Sequence, residues 1–444
     1  MQAENTVIQG LQLLLGRHNE ARIYTMEPVS RKVVYRMYPT RPQEAALLNM
    51  LGLHQRLYNA ALEQRITAWR QTRTNVGFVQ QCAGLTELRA ADESYAALNA
   101  QSSQVTLKRL DLAFASFFHR VRSGETPGFP RFKAFDRFSG WGYKSHGDGF
   151  KFTSGNGKVS RLKDGARQRH GRLRLSGIGE IKVRGRARTM GEIATCEIQH
   201  KAGRWYASMT VKCLPKREGG TAAVGLDWGV ETFATLAHED GSFEAVANPR
   251  FFKKHRESVE RAQKHLETTP KTSPHRKAAK LALGRAKDRE ASQRRDFLHQ
   301  TSAAIIARVA LLATEKLDIS HMVKSAKGTI EEPGKNVAQK AGLNREILAT
   351  SPASYHSMLR YKAEEAGSLY VETPTRTLKP SQRCSTCWKV AKKTLSERMH
   401  HCDCGCILTR DQNGARVNLR WTLSNLGQEL ARNAIPYPLA GWVA

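Results

Sequence analysis

Three acidic residues stand where a carboxylate needs a reason. Asp227 lies inside the apolar run AVGLDWG, Glu315 opens TEKLDIS after a long apolar stretch, and Asp411 begins the last helical segment in RDQNGARVNL. A charged group inside a buried strand is costly unless it is paired or holds a cation. Three acids converging from separate segments would hold two Mg²⁺ ions about 3.5–4 Å apart, the arrangement that hydrolyses phosphodiesters. The competing reading is that each acid caps a helix or pairs with one of the many basic side chains. It stands for Glu315 and Asp411 taken singly. It is weaker for Asp227, because a strand followed by a Trp-Gly turn has no helix to cap.

A second group is cysteine-rich. Cys384 and Cys387 have two residues between them, and Cys402, Cys404 and Cys406 follow after a short interval. Clustering in one segment argues against a disulfide framework and for a metal in a reducing cytoplasm. Cys-x-x-Cys with Cys-x-Cys would close a tetrahedral Zn²⁺ site through Cys384, Cys387, Cys402 and Cys404. Cys406, His400 and His401 remain alternative ligands. Four thiolates leave no open position, so the site is expected to be structural.

The elements that must position these groups come next. The chain has 444 residues, with 71 Lys and Arg against 40 Asp and Glu, a net charge of +31. Such a field attracts polyanions, nucleic acid first. No apolar run approaches the roughly 20 residues that span a bilayer, and the first residues lack the basic start of a secretory signal. The expectation is a cytoplasmic protein without a membrane partner.

Residues 31–39 read as a strand ended by Pro39. Thr40 and Gln43 then form a capping box for a helix carrying Leu47, Leu51, Leu57 and Leu62. A second helix is expected over 104–121. From 141 to 215, glycines punctuate short alternating runs, which predicts a small antiparallel sheet or barrel. Residues 222–238 read as a β-hairpin with a doubly buried first strand. Residues 250–313 read as charged helices split at Pro270 and Pro274, with a helix over 301–313 that leads into a strand-like segment, ATEKLDIS, over 313–320. A mobile loop is expected over 327–350, a helix over 354–366 and a strand over 368–373. This order is an α/β pattern.

Together these pieces resemble the TnpB family, the insertion-sequence proteins ancestral to type V CRISPR effectors. KVVYRMYPTRPQEAALL, RLYNAALEQR and LDLAFASFFHRV with TPGFPRFKAF look like its N-terminal half. GLDWGVETFATL looks like the first RuvC motif, RRDFLHQTS like the segment before the second, and SQRCSTC, HHCDCG and RDQNGA like a zinc ribbon and third motif. The resemblance makes Asp227, Glu315 and Asp411 the catalytic acids. Three positions depart from the family pattern: Lys316 follows Glu315 where Asp is common, Gly414 replaces an Ala, and Trp388 stands where Gly usually follows the first cysteine pair.

The resemblance implies a multidomain α/β fold: a RuvC/RNase H-like nuclease domain with an inserted zinc ribbon, an antiparallel β-barrel wedge domain and a helical recognition domain. The boundaries expected are 1–30 as an N-terminal extension, 31–40 as the first wedge strand, 41–140 for recognition and 141–220 for the wedge. The nuclease domain would occupy 221–375 and 410–444, with the ribbon at 376–409. It implies an RNA-guided DNA endonuclease with a noncoding guide RNA and double-stranded target DNA as partners; a monomer suffices. Arg131, Lys133, Arg294 and Arg295 would track phosphates, and Tyr58 and Asn59 would face bases. Two other readings are a guided repressor that no longer cuts and a transposase proper. The zinc ribbon between the second and third acids and the absence of a separate end-binding helix-turn-helix weigh against the latter.

Overall fold

A computed structural model describes residues 28–154, 169–186, 191–214, 217–329, 331–394 and 397–432. The N-terminal extension expected over 1–30 lies almost wholly outside them. The chain divides into two compact units, and the described parts of these are 28–214 and 217–432.

The first unit combines a sheet and helices around one core. Strand β1 (Val29–Tyr38) leads into helix α1 (Arg41–Thr72), followed by α2 (Phe78–Ala91) and α3 (Ala100–Arg122). Six more strands follow: β2 (Gly140–Tyr143), β3 (Phe150–Ser154), β4 (Arg169–Leu175), β5 (Gly179–Arg186), β6 (Glu192–Lys201) and β7 (Arg204–Cys213). They form an antiparallel sheet in the order β2-β6-β7-β1-β5-β4-β3. The first strand therefore sits at its centre, pairing Val33 with Met209 on one side and Met37 with Val183 on the other. Its alternation drives this: Val33, Tyr35 and Met37 are buried while the residues between them are not. Leu47, Leu51, Leu57 and Leu62 of α1 pack into the same cluster as Tyr35, Trp141 and Val183.

The second unit is built on a mixed sheet of five strands: β8 (Ala222–Trp228), β9 (Thr232–His238), β10 (Phe243–Ala247), β11 (Val309–Glu315) and β12 (Leu369–Thr373). Their order is β10-β9-β8-β11-β12. The β8, β11 and β12 strands run parallel, while β9 pairs antiparallel with β8 and β10 pairs antiparallel with β9. Between β10 and β11 lie helices α4 (Phe251–Thr268) and α5 (His275–Ile306); α6 (Val337–Thr350) and α7 (Pro352–Ala366) precede β12. A small hairpin of β13 (Met399–His401) and β14 (Ile407–Thr409) precedes α8 (Arg410–Arg432).

The two faces of β8 and β11 are covered differently. Val224, Leu226 and Leu312 pack with Leu298, Ile305, Tyr355 and Leu359 from α5 and α7. Ala223 and Leu311 pack with Leu419 and Leu423 of α8. Double coverage explains the unbroken apolar runs.

Two expectations are corrected here. The helix expected over 301–313 ends at Ile306, and Val309–Glu315 is a strand. A short apolar run buried on both faces has no periodicity that separates helix from strand. The mobile loop expected over 327–350 contains α6, which starts at Val337. Its residues show little amphipathic pattern, since Ile347 and Thr350 alone are buried. The strand β10 was not expected at all.

Candidate active site and metal centre

Register alone brings two of the acids together. In the parallel pair β8 and β11, Gly225 lies opposite Ala313 and Leu226 opposite Thr314. Asp227 and Glu315 are therefore neighbours at the carboxyl ends of adjacent strands, about 4.8 Å apart in the hydrogen-bonding direction. The period of two puts Asp227 on the face of Ala223 and Gly225, and Glu315 on the face of Leu311 and Ala313. That is the face covered by α8.

Helix α8 supplies the third acid. A Cβ at Gly225 would lie 2.0 Å from the Ala415 carbonyl oxygen, so glycine is what lets the helix backbone descend onto the strand. One residue earlier, a Cβ at Gly414 would lie 3.2 Å from the Asp227 carboxyl carbon, and Asp411, three positions before it, shares that helical face. The Asp411 carboxylate comes within 3.8 Å of where a Cβ on Gly229 would stand, just past β8. Asn418 fixes the helix further by donating to the Leu226 carbonyl at 3.1 Å and meeting the Thr373 hydroxyl at 2.9 Å.

All three carboxylates line one open cleft of about 610 Å³, with Arg398, Arg410 and Glu231 at its walls. Among the described residues, none of the three takes part in a hydrogen bond or ion pair. Burial, then repulsion from Glu315 and Asp411, pushes the Asp227 carboxyl well above the carboxylate range. Burial pushes Glu315 up to about 7, against the pull of Arg410 and with Asp411 adding to the rise. Burial also raises Asp411, opposed by Arg398 and Arg410. Unpaired oxygen donors gathered in a cleft are, by their chemistry, of the kind that suits a hard divalent cation such as Mg²⁺. Lys316 stays out of this: its side chain is exposed, while its N–H donates to the Thr373 carbonyl and its carbonyl accepts from Thr375.

The cysteine cluster is closed. The Sγ atoms of Cys384, Cys387, Cys402 and Cys404 all lie within 4.8 Å of one another, with Cys384 to Cys404 at 3.6 Å and Cys387 to Cys402 at 3.5 Å. A zinc tetrahedron with Zn–S near 2.3 Å has S–S edges of about 3.8 Å, so the four thiols fit the ion. The Thr386 N–H donates to Cys384 Sγ at 3.4 Å, and Gly405, at φ +85°, turns the second knuckle. Cys384, His400 and Cys406 form an overlapping set within the same reach, while His401 is exposed and belongs to neither. Trp388 has φ +68°, a left-handed conformation that favours glycine, and its ring meets the guanidinium groups of Arg383 at 5.4 Å and Arg420 at 5.5 Å.

Sequence reasoning missed Asn413. It is fully buried, accepts from the Ser385 N–H at 2.9 Å and donates to the Arg383 carbonyl at 2.7 Å. It ties the cysteine segment to α8 two residues after Asp411. An Asn inside an otherwise acid-led helix start was the available signal. Arg398 and Arg410 were also missed.

The proposed nucleic-acid contacts are placed unevenly. Arg131 and Arg295 are exposed; Lys133 is half-buried. Arg294 pairs with Glu290 at 2.8 Å. Tyr58 is buried and packs against Phe138 with ring centroids 6.2 Å apart, so its ring belongs to the core instead of facing solvent. Asn59 spends its amide on the backbone of Lys133, donating at 3.0 Å and accepting at 2.9 Å.

A mixed sheet of this order, with acids from β8, β11 and the following helix in one cleft, is consistent with a ribonuclease-H-like fold. Family models match the chain in three places: OrfB_IS605, "Probable transposase", over 195–326; the Cas12f1-like TNB domain over 353–418; and the OrfB_IS605 helix-turn-helix domain over 26–74. The chain shows strong homology to the TnpB/IS605-OrfB family. A "Putative RNA-guided DNA endonuclease" of Streptomyces pristinaespiralis is 29% identical over 401 residues, covering 88% of this chain and 89% of that protein. InsQ of Escherichia coli K12, described in the same words, is 29% identical over 389 residues, covering 86% and 90%. The Cas12f1 chain of a Cas12f1–sgRNA–target DNA complex aligns with TM-score 0.48 and 10% identity over 88% of this chain and 99% of that one. The third family model bears on the helix-turn-helix expected to be absent. Its segment matches by sequence, but the described residues there form β1 and the single 32-residue helix α1. No helix of the described residues is long and apolar enough to cross a membrane.

Proposed function

We propose that this protein is the RNA-guided DNA endonuclease of a transposable element, cutting double-stranded DNA beside a short motif. The observation that carries the reading is the gathering of Asp227, Glu315 and Asp411, unpaired, in one open cleft of a strongly cationic protein. These three side chains would hold two Mg²⁺ ions. Bound there, the ions would supply Lewis acidity for phosphodiester hydrolysis, activating water and neutralising developing charge. Arg398 and Arg410, on the cleft wall, would bind and orient the scissile phosphate. The Cys384, Cys387, Cys402 and Cys404 cluster would hold structural Zn²⁺. Through Asn413 and Arg420 its fold would set the angle of α8, and with it Asp411.

In this reading 31–40 and 141–220 form the wedge, 41–140 the recognition domain, 221–375 and 410–444 the RuvC-like domain, and 376–409 the ribbon. A noncoding RNA would select the target by base pairing, and one chain would suffice. Its place of work would be the bacterial cytoplasm. Purifying the protein with its bound RNA, sequencing that RNA and incubating the complex with Mg²⁺ and a supercoiled plasmid carrying the matching sequence tests the reading. Linear product at the matched site is expected. Joined strand-transfer products would point to a transposase proper, and tight binding without cutting at any match to a guided repressor.

A further inference from the structure

The end of α3 and the segment after it carry an unusual density of phenylalanine. Six of the chain's 15 Phe fall between Phe114 and Phe135. Four of them, Phe118, Phe129, Phe132 and Phe135, are between 46% and 53% exposed. Exposed rings at this density mark an interaction surface.

The rings are held by one another. Phe129 meets Phe117 at 5.4 Å and Phe114 at 5.6 Å, both edge to face, and Phe117 meets Phe118 at 5.1 Å. The following segment is clamped to α1, where Asn59 binds both backbone groups of Lys133. The aromatic surface is thus preorganised. Around it stand Arg120, Arg122 and Arg131, all exposed, and none has an ion-pair partner among the described residues.

We infer that this face stacks unpaired bases of single-stranded RNA, with the three arginines on the flanking phosphates. Aromatic faces interleaved with cations are the chemistry of single-strand recognition. A second copy of this chain is disfavoured because each carries +31. RNA is chosen over DNA because its loops and bulges present splayed bases before any target arrives. The inference rests on the proposed reading that the chain holds RNA. It adds where the unpaired part of that RNA is gripped.

The test uses the full-length protein freed of bound RNA and a fluorescein-labelled 12-nucleotide oligouridine, read by fluorescence anisotropy. Phe118→Ala with Phe129→Ala should weaken binding about tenfold or more while leaving the slope of log Kd against log salt unchanged. Phe118→Tyr with Phe129→Tyr should bind like wild type. Arg120→Gln with Arg122→Gln should instead reduce the salt slope. If the alanine pair melts below wild type, Phe132→Ala replaces it with the same expectation. Unchanged affinity, an equal loss on blunt duplex RNA, preference for oligodeoxythymidine, or a wild-type dimer that the alanine pair dissociates would each overturn the inference. The probe needs no guide or cut, so an inert nuclease with intact stacking counts against the endonuclease reading alone.

Discussion

At the scale of single residues, the account turns on carboxylates that repel one another. Glu315 has its carboxyl pushed up to about 7, and Asp227 is raised as well. In the unfolded chain both titrate near 4. A raised folded value means the metal-free protein takes up protons on folding. Its stability contribution is therefore complete below about pH 4 and lost as pH rises through about 7. The expected outcome is a metal-free melting temperature that falls between pH 5.5 and pH 8. Mg²⁺ should restore more of it at pH 8 than at pH 5.5, and Asp227→Asn with Glu315→Gln should flatten both effects. Calorimetry at fixed ionic strength checks this. Trp388 gives a second prediction. Its left-handed backbone costs about 1–2 kcal/mol, and its two arginine contacts return about 0.5–1 kcal/mol each. Trp388→Gly should therefore stay within about 1 kcal/mol of wild type in a urea melt. Trp388→Ala keeps the strain, loses the contacts and should be the less stable of the two. The acids and the cysteines were legible because their types are costly or clustered. Trp388 was legible only as a departure, and its reason lies in arginines 5 and 32 positions away in sequence.

At the scale of elements, the site is made by a parallel strand pair and a helix lying on it. Gly225 is the point of closest approach, and a methyl there would strike the Ala415 carbonyl. Gly225→Ala should destabilise by about 1–3 kcal/mol and cut activity further than stability explains, because α8 also carries Asp411. Gly414→Ala is gentler: its methyl would sit 3.2 Å from the Asp227 carboxyl, so the side chain must yield slightly. Chemical melts paired with cleavage rates separate these two effects. Alternation exposed β1, and capping residues exposed the start of α1, where the Thr40 N–H does donate to Gln43 at 3.0 Å. The β11 strand was legible only at its end, within the strand-like segment expected over 313–320; the apolar run that begins it, covered on both faces, carries no period. Not legible was α6, whose scant burial leaves no stripe to read.

At the scale of the molecule, the charge of +31 says that phosphate contacts dominate affinity. RNA binding should weaken about 10³-fold or more between 50 and 200 mM salt if six or more phosphates are engaged. Filter binding across that range measures it. The charge did not say what chemistry is done on a nucleic acid; the three acids are what point to phosphodiester hydrolysis. Nor did it say that the helical and antiparallel segments share one core, which follows from long-range pairing of β1 with β5 and β7. The most direct measurement of the central claim is plasmid cleavage by wild type and Asp227→Ala side by side, each loaded with the native RNA and with its RNA retention quantified. The account predicts that the wild type cuts with Mg²⁺ and that Asp227→Ala retains RNA and does not cut. Cutting by the Asp227→Ala protein at the wild-type rate would contradict it.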